Sequence, residues 1–472
     1  MPARTSSEVV LINPPLSGGD VTAKLNICTP PLGLAYIASY LREHGHKVTI
    51  IDTQVDPFSG DALIQTVQNA NLIGITSSAP TYNAAIVLAN LIKHSCKDAT
   101  IVIGGPQATY LDSDCLARSR ADAVVRGEGE ITMLEIADAL TYSKVPQALY
   151  DIDGITYRSN DEILKNEDRR LLRNLDEFPF PARDLLPMDR YKPPKSTGVI
   201  SSRGCPFRCI FCASSKLNGK KFRPRSAYDV FSEVSELVRK GYEHISMLDD
   251  NFILDTHRVF EFADLVEDHQ LKFDWSCTAR VDLIDDELLA RLHEVGCNGL
   301  FFGVESSSNE TLEIIKKGFK TDQVLEAFDI LKDHSMTTTA SFMIGLPGDN
   351  AEKVKDTIDF AKTLNPDFAM FSITTPYPGT ELYENIDNYD IEITLDDWSN
   401  FTLTKPVVKT SMLSTRDLQR WFVKAYCSYY LRFSYLKRAV KRKQIGFIFT
   451  PLWRGLVQAA ATRAHRLKTR KA

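Results

Sequence analysis

The sequence predicts two α/β domains in series. A Rossmann-like, doubly wound parallel sheet comes first, then a partial (β/α)6 barrel of TIM type, with a helical region closing the chain. Three observations carry this. Short apolar runs alternate with helix-period segments over residues 1–150 and again over 196–400, the pattern of parallel strands covered on both faces. Prolines at 179, 181, 187, 193 and 194 punctuate the stretch 151–195 between the two series, where they break helices and mark a linker. At 472 residues, 43% hydrophobic and 25% charged, the chain has the composition of a globular protein and is too long for one typical domain.

In the first series VVLIN (9–13), KVTIID (47–52), LIGITSS (72–78), TIVIGGP (100–106) and DAVVRGEGE (122–130) are expected as buried strands. Helices are expected at GLAYIASYLREH (33–44) and YNAAIVLANLIKHS (82–95). Ligands of such sheets lie beyond the carboxyl ends of the strands. Those ends carry Asn13, Thr76, Ser77, Gly104, Gly105 and Gly129, small residues that let a ligand approach the backbone. A dinucleotide is disfavoured, because LSGGDVTAKLN after the first strand lacks the G-x-G-x-x-G spacing. In the second series the strands are expected at GVISSR, HISMLDD (244–250), FDWSCTAR (273–280), GLFFGVE (299–305), TTTASFMIGLP (337–347) and FAMFSITTP (368–376). Chemistry in a barrel of this kind belongs at the carboxyl ends of its strands. Residues 401–472 are expected as a basic helical region.

The net charge of −5 is unevenly spread. Residues 431–472 hold twelve Lys or Arg and no Asp or Glu, leaving −17 on the first 430. That end, interleaved with IGFIFTPLW, suits an anionic membrane surface, nucleic acid or an acidic substrate, or equally a solvated helix packed through its aromatic residues. No apolar run reaches the ~18–20 residues that span a bilayer, and no signal-peptide pattern opens the chain. A cytoplasmic protein is expected, and its nine cysteines are expected as thiols and metal ligands rather than disulfides.

Cys205, Cys209 and Cys212 follow the first strand of the second series in a C-x-x-x-C-x-x-C spacing. Zinc and ordinary iron–sulfur sites want four protein ligands, and none follows closely; His244, His257 and Cys277 come next. An iron–sulfur cluster with one open position fits this spacing, with a zinc site or unpaired thiols as the alternatives. Arg203 and Arg208 are placed to favour thiolates.

CPFRCIFC resembles the signature of radical S-adenosylmethionine (SAM) enzymes, including Phe211 before the last cysteine. The segments MLDDNF, FFGVESSSNETLEIIKKG, MIGLPGD and TPYPGTEL are similar to that family's later strand ends. With PPLGLAYIASYLREHGHKVTIID, GITSSAPTYNAA, VIGGPQAT and VVRGEGE ahead of them, the chain over residues 8–385 resembles the cobalamin-dependent (class B) subclass, with an N-terminal cobalamin-binding domain. The resemblance implies a [4Fe-4S] cluster on Cys205, Cys209 and Cys212 whose open iron chelates SAM. It places Phe211, Asp249, Glu305 and Gly345 around SAM, and Asn13, Thr76, Ser77, Gly104, Gly105 and Gly129 around cobalamin. A structural ion pair is the competing role for Glu305, a helix cap for Asp249 and Asp250, and a plain turn for Gly345 and Gly348. There is no D-x-H-x-x-G motif to give cobalt a histidine, and Gln107 stands where relatives often have histidine.

The resemblance implies an enzyme that methylates an unactivated carbon, using two SAM molecules per turnover and an external one-electron reductant of flavodoxin or ferredoxin type. A radical cyclase or rearrangement enzyme of the anaerobic porphyrin cyclase type is the alternative. From another class comes a cobalamin-binding or electron-transfer protein without catalysis. The substrate is not written in the chain. The basic aromatic end points to a large, amphiphilic or anionic one, with no nucleic acid expected and peripheral membrane contact left open. Tyr377, Trp398, Trp421 and Tyr426 are candidates for lining a substrate cavity, with ordinary packing as the competing role.

Overall fold

The computed structural model describes residues 6–16, 29–56 and 59–441. These form two compact units. One holds residues up to 206 with 213–243 and 397–399; the other holds 207–212, 244–396 and 400 onward.

The first unit is built on β1 (Glu8–Asn13), α1 (Leu32–Glu43), β2 (Lys47–Asp52), α2 (Gly60–Val67), β3 (Leu72–Thr76), α3 (Tyr82–Ser95), β4 (Thr100–Gly104), α4 (Pro106–Tyr110), α5 (Asp112–Arg118), β5 (Ala123–Val125) and α6 (Glu130–Ala139). The strands lie in the order β2-β1-β3-β4-β5, all parallel. Successive side chains of a strand face opposite sides, and both sides are buried here. Val9 and Leu11 point to a core with Leu34, Ala38 and Leu41 of α1 and Met133 and Ile136 of α6. Val10 and Ile12 point to another with Leu63 and Val67 of α2 and Tyr82, Ala85 and Ala89 of α3. The chain reverses its direction of winding between β1 and β3, and a doubly wound sheet opens a crevice at that switch point.

The stretch 151–195 differs from the linker expected. Its first part forms β6 (Ile155–Ser159) and β7 (Glu162–Lys165), an antiparallel hairpin that extends the first sheet beyond β5. The hairpin reverses at Asn160, whose φ of +55 is one that asparagine tolerates. The prolines that suggested a linker all lie after this hairpin. The unit also contains β8 (Ser196–Val199) and α7 (Ala227–Arg239).

The second unit alternates β9 (His244–Met247), α8 (Thr256–Asp268), β10 (Asp274–Ala279), α9 (Asp286–Glu294), β11 (Cys297–Glu305), α10 (Asn309–Ile314), α11 (Thr321–Asp333), β12 (Thr337–Ile344), α12 (Ala351–Leu364) and β13 (Phe368–Ile373). Each strand pairs in parallel with the next in sequence, the winding of a barrel wall. A small ribbon, β14 (Ile391–Ile393) with β15 (Val408–Thr410), precedes α13 (Thr415–Tyr430) and α14 (Phe433–Lys441).

Strand β13 ends the wall, and α13 covers its open edge by an unusual device. The amides of Ala369 and Phe371 donate to the hydroxyls of Tyr430 (3.1 Å) and Tyr426 (3.2 Å). The same hydroxyls donate back to the carbonyls of Ala369 (2.9 Å) and Phe371 (3.1 Å). Four helical residues rise ~6 Å and two strand residues ~6.6 Å, so tyrosines spaced i, i+4 match alternate residues of an edge strand. Tyr429 and Tyr435 serve the carbonyls of Pro366 and Asp367 just before it.

Candidate functional site

The cysteine loop is pinned by its apolar residue. Ile210 is fully buried; its amide donates to the Ile315 carbonyl (3.2 Å) and its carbonyl accepts from Leu382 (2.8 Å). Cys205 and Cys209 are half-buried and Cys212 is exposed. Among the described residues no three His, Cys, Asp or Glu side chains are grouped to hold one metal ion. The cubane asks for something different, since each thiolate takes a separate iron, and a three-cysteine loop with one exposed member fits that donor set.

Of the two arginines expected to favour thiolates, Arg203 is already committed. It pairs with Glu130 (2.6 Å) and Glu128 (3.3 Å). Burial opposes its charge, but the two carboxylates outweigh burial and push its pKa up. Arg223 adds a second guanidinium on Glu128. Arg208 remains exposed.

Within the second unit the loop's aromatic residues sit on two cations, Arg280 just beyond β10 and Lys317 just beyond α10. The Arg280 guanidinium stands 3.5 Å from the Phe207 ring centroid, and the Lys317 ammonium 5.7 Å from that of Phe211. Lys317 donates to Glu305 Oε1 (2.8 Å), and both side chains are almost fully buried. Glu305 closes β11 after a register irregularity that begins at Gly303, in the left-handed conformation at φ +70. Backbone strain of that kind in a residue with a Cβ collects at functional sites. Gly303 makes room for the pair, since a Cβ there would lie 2.4 Å from Glu305 Oε1. The ion pair weighed for Glu305 is therefore present, and its partner Lys317 was not singled out from the sequence. No local signal links two residues twelve apart across a helix.

Asp249 is buried, and its carbonyl accepts from the Thr278 hydroxyl (2.5 Å). The cap of α8 comes from Asp255 instead (3.1 Å to the Arg258 amide). Gly345, at φ +82, turns the chain beneath α13, and a Cβ on it would lie 2.6 Å from Leu418 Cδ2. Asp349 Oδ2 accepts from the amides of Gly345 and Leu346, both at 3.0 Å. Burial lifts this carboxyl to about 7.

Three side chains beyond the ends of β9, β12 and β13 carry orphaned polar atoms. Both carboxamide atoms of Asn251, Oδ1 of Asp349 and the hydroxyl of Thr374 are buried without a hydrogen-bond partner. Buried polar atoms are rarely left so, and a ligand or ordered water is the usual reason. A polar small molecule such as SAM fits these strand ends. Asn251 and Thr374 were missed because nothing in their sequence context marks them as orphaned.

In the first unit, β1 and β3 end together at the switch point, with Ile12 level with Ile75. The Asn13 carboxamide donates to Asp52 (2.9 Å) and accepts from Gln54 (3.3 Å). Thr76 lies opposite Gly104. The Ser77 hydroxyl donates to the Gly104 carbonyl (2.9 Å) and accepts from the Ala108 amide (3.2 Å), so it braces the loop. Gly105 is tightly enclosed: at φ +89, a Cβ would meet Ser77 O at 2.6 Å and Ser77 N at 2.8 Å. Thr76, Ser77, Gly104 and Gly105 are thus brought together, whereas Gly129 opens α6 against Ile37 (3.0 Å from a Cβ). Gly127, at φ +71, has open space where a side chain would stand. The buried Gln107 leaves its Nε2 without a partner. A crevice, an empty cradle and an orphaned amide fit a large polar ligand laid across these strand ends, as cobalamin would be.

The aromatic candidates serve packing and capping. Tyr377 donates to the Phe401 carbonyl (3.1 Å), Trp398 packs on the first unit's core, Trp421 lies against Lys424, and Tyr426 caps the sheet edge. Of the basic C-terminal run, residues 442–472 lie outside the described residues. No helix among the described residues is long and apolar enough to cross a membrane.

Comparison with known proteins accounts for both units. Residues 199–361 match the model of the radical SAM superfamily, and residues 18–137 that of the B12 binding domain. The chain is 35% identical over 460 residues to a protein of Pyrococcus horikoshii named an uncharacterized methyltransferase, covering 96% of this chain and 98% of that one. It is 25% identical to the anaerobic magnesium-protoporphyrin IX monomethyl ester cyclase of Rubrivivax gelatinosus over 86% of this chain and 75% of that one. Among solved structures, the cobalamin-dependent SAM radical enzyme OxsB superposes with a TM-score of 0.74 at 18% identity, over 96% of this chain and 72% of that one. The radical SAM methyltransferase TsrM from Kitasatospora setae superposes with a TM-score of 0.69 at 17% identity, over 83% and 78%. The chain belongs to the radical SAM superfamily, in the class that carries a B12-binding domain ahead of its radical SAM domain.

Proposed function

We propose that this protein is a cobalamin-dependent radical SAM methyltransferase that places a methyl group on an unactivated carbon, consuming two SAM molecules per turnover. The observation that carries it is the end-to-end similarity, at 35% identity, to a relative named a methyltransferase. When bound, the [4Fe-4S] cluster and SAM supply a hydrogen-abstracting radical, and cobalamin supplies the methyl donor.

The chain's own residues hold and orient. Cys205, Cys209 and Cys212 hold the cluster and leave one iron for SAM. Phe211, seated on Lys317, fixes the loop over the strand ends. Glu305, held by Lys317, offers carboxylate oxygens to a ribose diol, where charge-assisted hydrogen bonds are strong. Asp249 and the Gly345 turn complete that wall. In the first unit Asn13, Thr76 and Gly104 border the crevice for cobalamin, while Ser77, Gly105 and Gly129 keep its floor rigid. On this reading residues 1–150 serve cobalamin and 196–400 the cluster and SAM, while the described part of the C-terminal region 401–472 caps the edge of β13. The reading places the enzyme in the cytoplasm and has it fed by an external one-electron reductant.

Methyl-labelled SAM tests this with the anaerobically reconstituted protein. Equal release of 5′-deoxyadenosine and S-adenosylhomocysteine, with cobalamin retained near one per chain, is the expected result. 5′-Deoxyadenosine without S-adenosylhomocysteine would sink methyl transfer and favour a radical cyclase. That second reading draws on the similarity to the magnesium-protoporphyrin cyclases. Cys209→Ala should abolish both products.

A further inference from the structure

The five parallel strands of the second unit have two unlike faces. One packs on the covering helices: Trp275 of β10 meets Phe262 of α8, and Phe302 of β11 meets Phe328 of α11, with ring centroids 5.7 and 5.8 Å apart. The alternate residues face inward. Across the wall, Ser246 lies in register with Ser276, Phe301 with Thr278 and Thr339, and Ser341 with Met370. Barrels of this type ordinarily fill their interior with layers of Val, Ile and Leu. Small hydroxyl side chains beside Gly299 and Gly303 cannot do so, and these serines and threonines stay half-buried while their helix-facing neighbours are buried.

Two residues of β13 and its end show that the interior is built to be occupied. The Thr374 amide donates to the Ile344 carbonyl (2.9 Å), so the ladder continues and Thr374 faces the same side as Met370 and Ser372. Thr374 is fully buried, yet its hydroxyl has no hydrogen-bond partner, a state that usually marks a ligand or ordered water. Met370 keeps 42% of its surface exposed, large for an apolar side chain on an inner wall.

The wall between the two rims is also uncharged. At the lower rim Asp274 is exposed and accepts from Asn298 (2.8 Å). At the upper rim Lys317 neutralises Glu305. His244 forms the floor, its Nε2 3.1 Å from the Ser276 hydroxyl, and burial lowers its pKa, so the ring is neutral at pH 7. A carboxylate or phosphate drawn inside would lose hydration with no cation on these strands to receive it. Hydroxyl and amide groups both donate and accept, as Ser and Thr do.

We propose that the inner wall of β9 to β13 is the substrate site, and that it takes an uncharged small molecule with a hydroxyl or amide group for Ser276 and Thr339 and an apolar part for Phe301 and Met370. The inference rests on the methyltransferase reading and narrows it. Of the substrates suggested by the basic C-terminal end, the anionic one is set aside.

Benzamide and benzoate share size and shape and differ in charge, so they probe the class directly. Saturation-transfer NMR reads both on the reconstituted holoenzyme with SAM bound. Benzamide should bind, and benzoate should fail to compete with it. Thr339→Val keeps the shape and removes one hydroxyl, and should weaken benzamide about three-fold; Ser276→Ala/Thr339→Val should weaken it about ten-fold. Iron and cobalamin content check that each variant folds. Benzoate binding as tightly as benzamide, no benzamide binding, or benzamide binding unchanged in both variants would overturn the site. No S-adenosylhomocysteine from methyl-labelled SAM, with benzamide held as expected, would instead overturn methyl transfer and leave the ligand class assigned.

Discussion

Replacing Tyr430 by Phe removes one oxygen and leaves the ring, so it isolates the edge cap on β13. That oxygen serves two groups of Ala369, a residue with no exposed surface: it accepts from the amide at 3.1 Å and donates to the carbonyl at 2.9 Å. A buried donor or acceptor left unsatisfied costs about 1–3 kcal/mol. Two such losses set a range of about 2–6 kcal/mol, and water reaching the strand edge should bring the cost near 3 kcal/mol. Tyr426→Phe makes the same demand at Phe371. The double variant measures how far the two caps, whose rings stack with centroids 6.0 Å apart, depend on each other. Urea unfolding gives the free energy, and native-state hydrogen exchange at the Ala369 and Phe371 amides locates it. A loss below about 0.5 kcal/mol, with unchanged exchange at Ala369, would refute the idea that tyrosines substitute for a neighbouring strand.

Other outcomes follow from the site. Lys317→Met strands the Glu305 carboxylate in a buried place with Ser341 (3.4 Å) as its one remaining side-chain partner among the described residues, at a cost of about 3–5 kcal/mol. Glu305→Gln in the same chain should recover most of that stability without restoring SAM affinity by equilibrium binding. For Asp349, burial raises the folded pKa to about 7, so the native state keeps a proton that the unfolded chain releases near pH 4. Stability is then lost as pH rises from about 4 to about 7, by at most about 1.4 kcal/mol per pH unit. Asp349→Asn should flatten that slope in urea titrations, and an unchanged slope would assign it elsewhere. Gly105→Ala forces a Cβ to within 2.6 Å of Ser77 O at a positive φ, and should lower bound cobalamin, read by absorbance, while iron content stays unchanged.

The alternation of apolar runs determined both sheets, because burial on two faces leaves a strand little choice but continuous Val, Ile and Leu, as in β1 and β4. The cysteine spacing, the glycine-rich strand ends and the resemblance they carry named the family before any contact was known. Local patterns could equally place Gly105 and Gly345, whose positive φ few other residues accept. Only the tertiary structure decided what lies across space. It pairs Glu305 with Lys317, ties Arg203 to Glu128 and Glu130 rather than leaving it for the thiols, and turns Tyr426 from a cavity candidate into a strand-edge cap. The hairpin of β6 and β7 was hidden for a related reason, since its weak alternation gains meaning only beside the free edge of β5. Backbone preference is encoded within a few residues, whereas the partner of a buried charge or hydroxyl is set by whichever distant segment the fold brings within 3 Å of it.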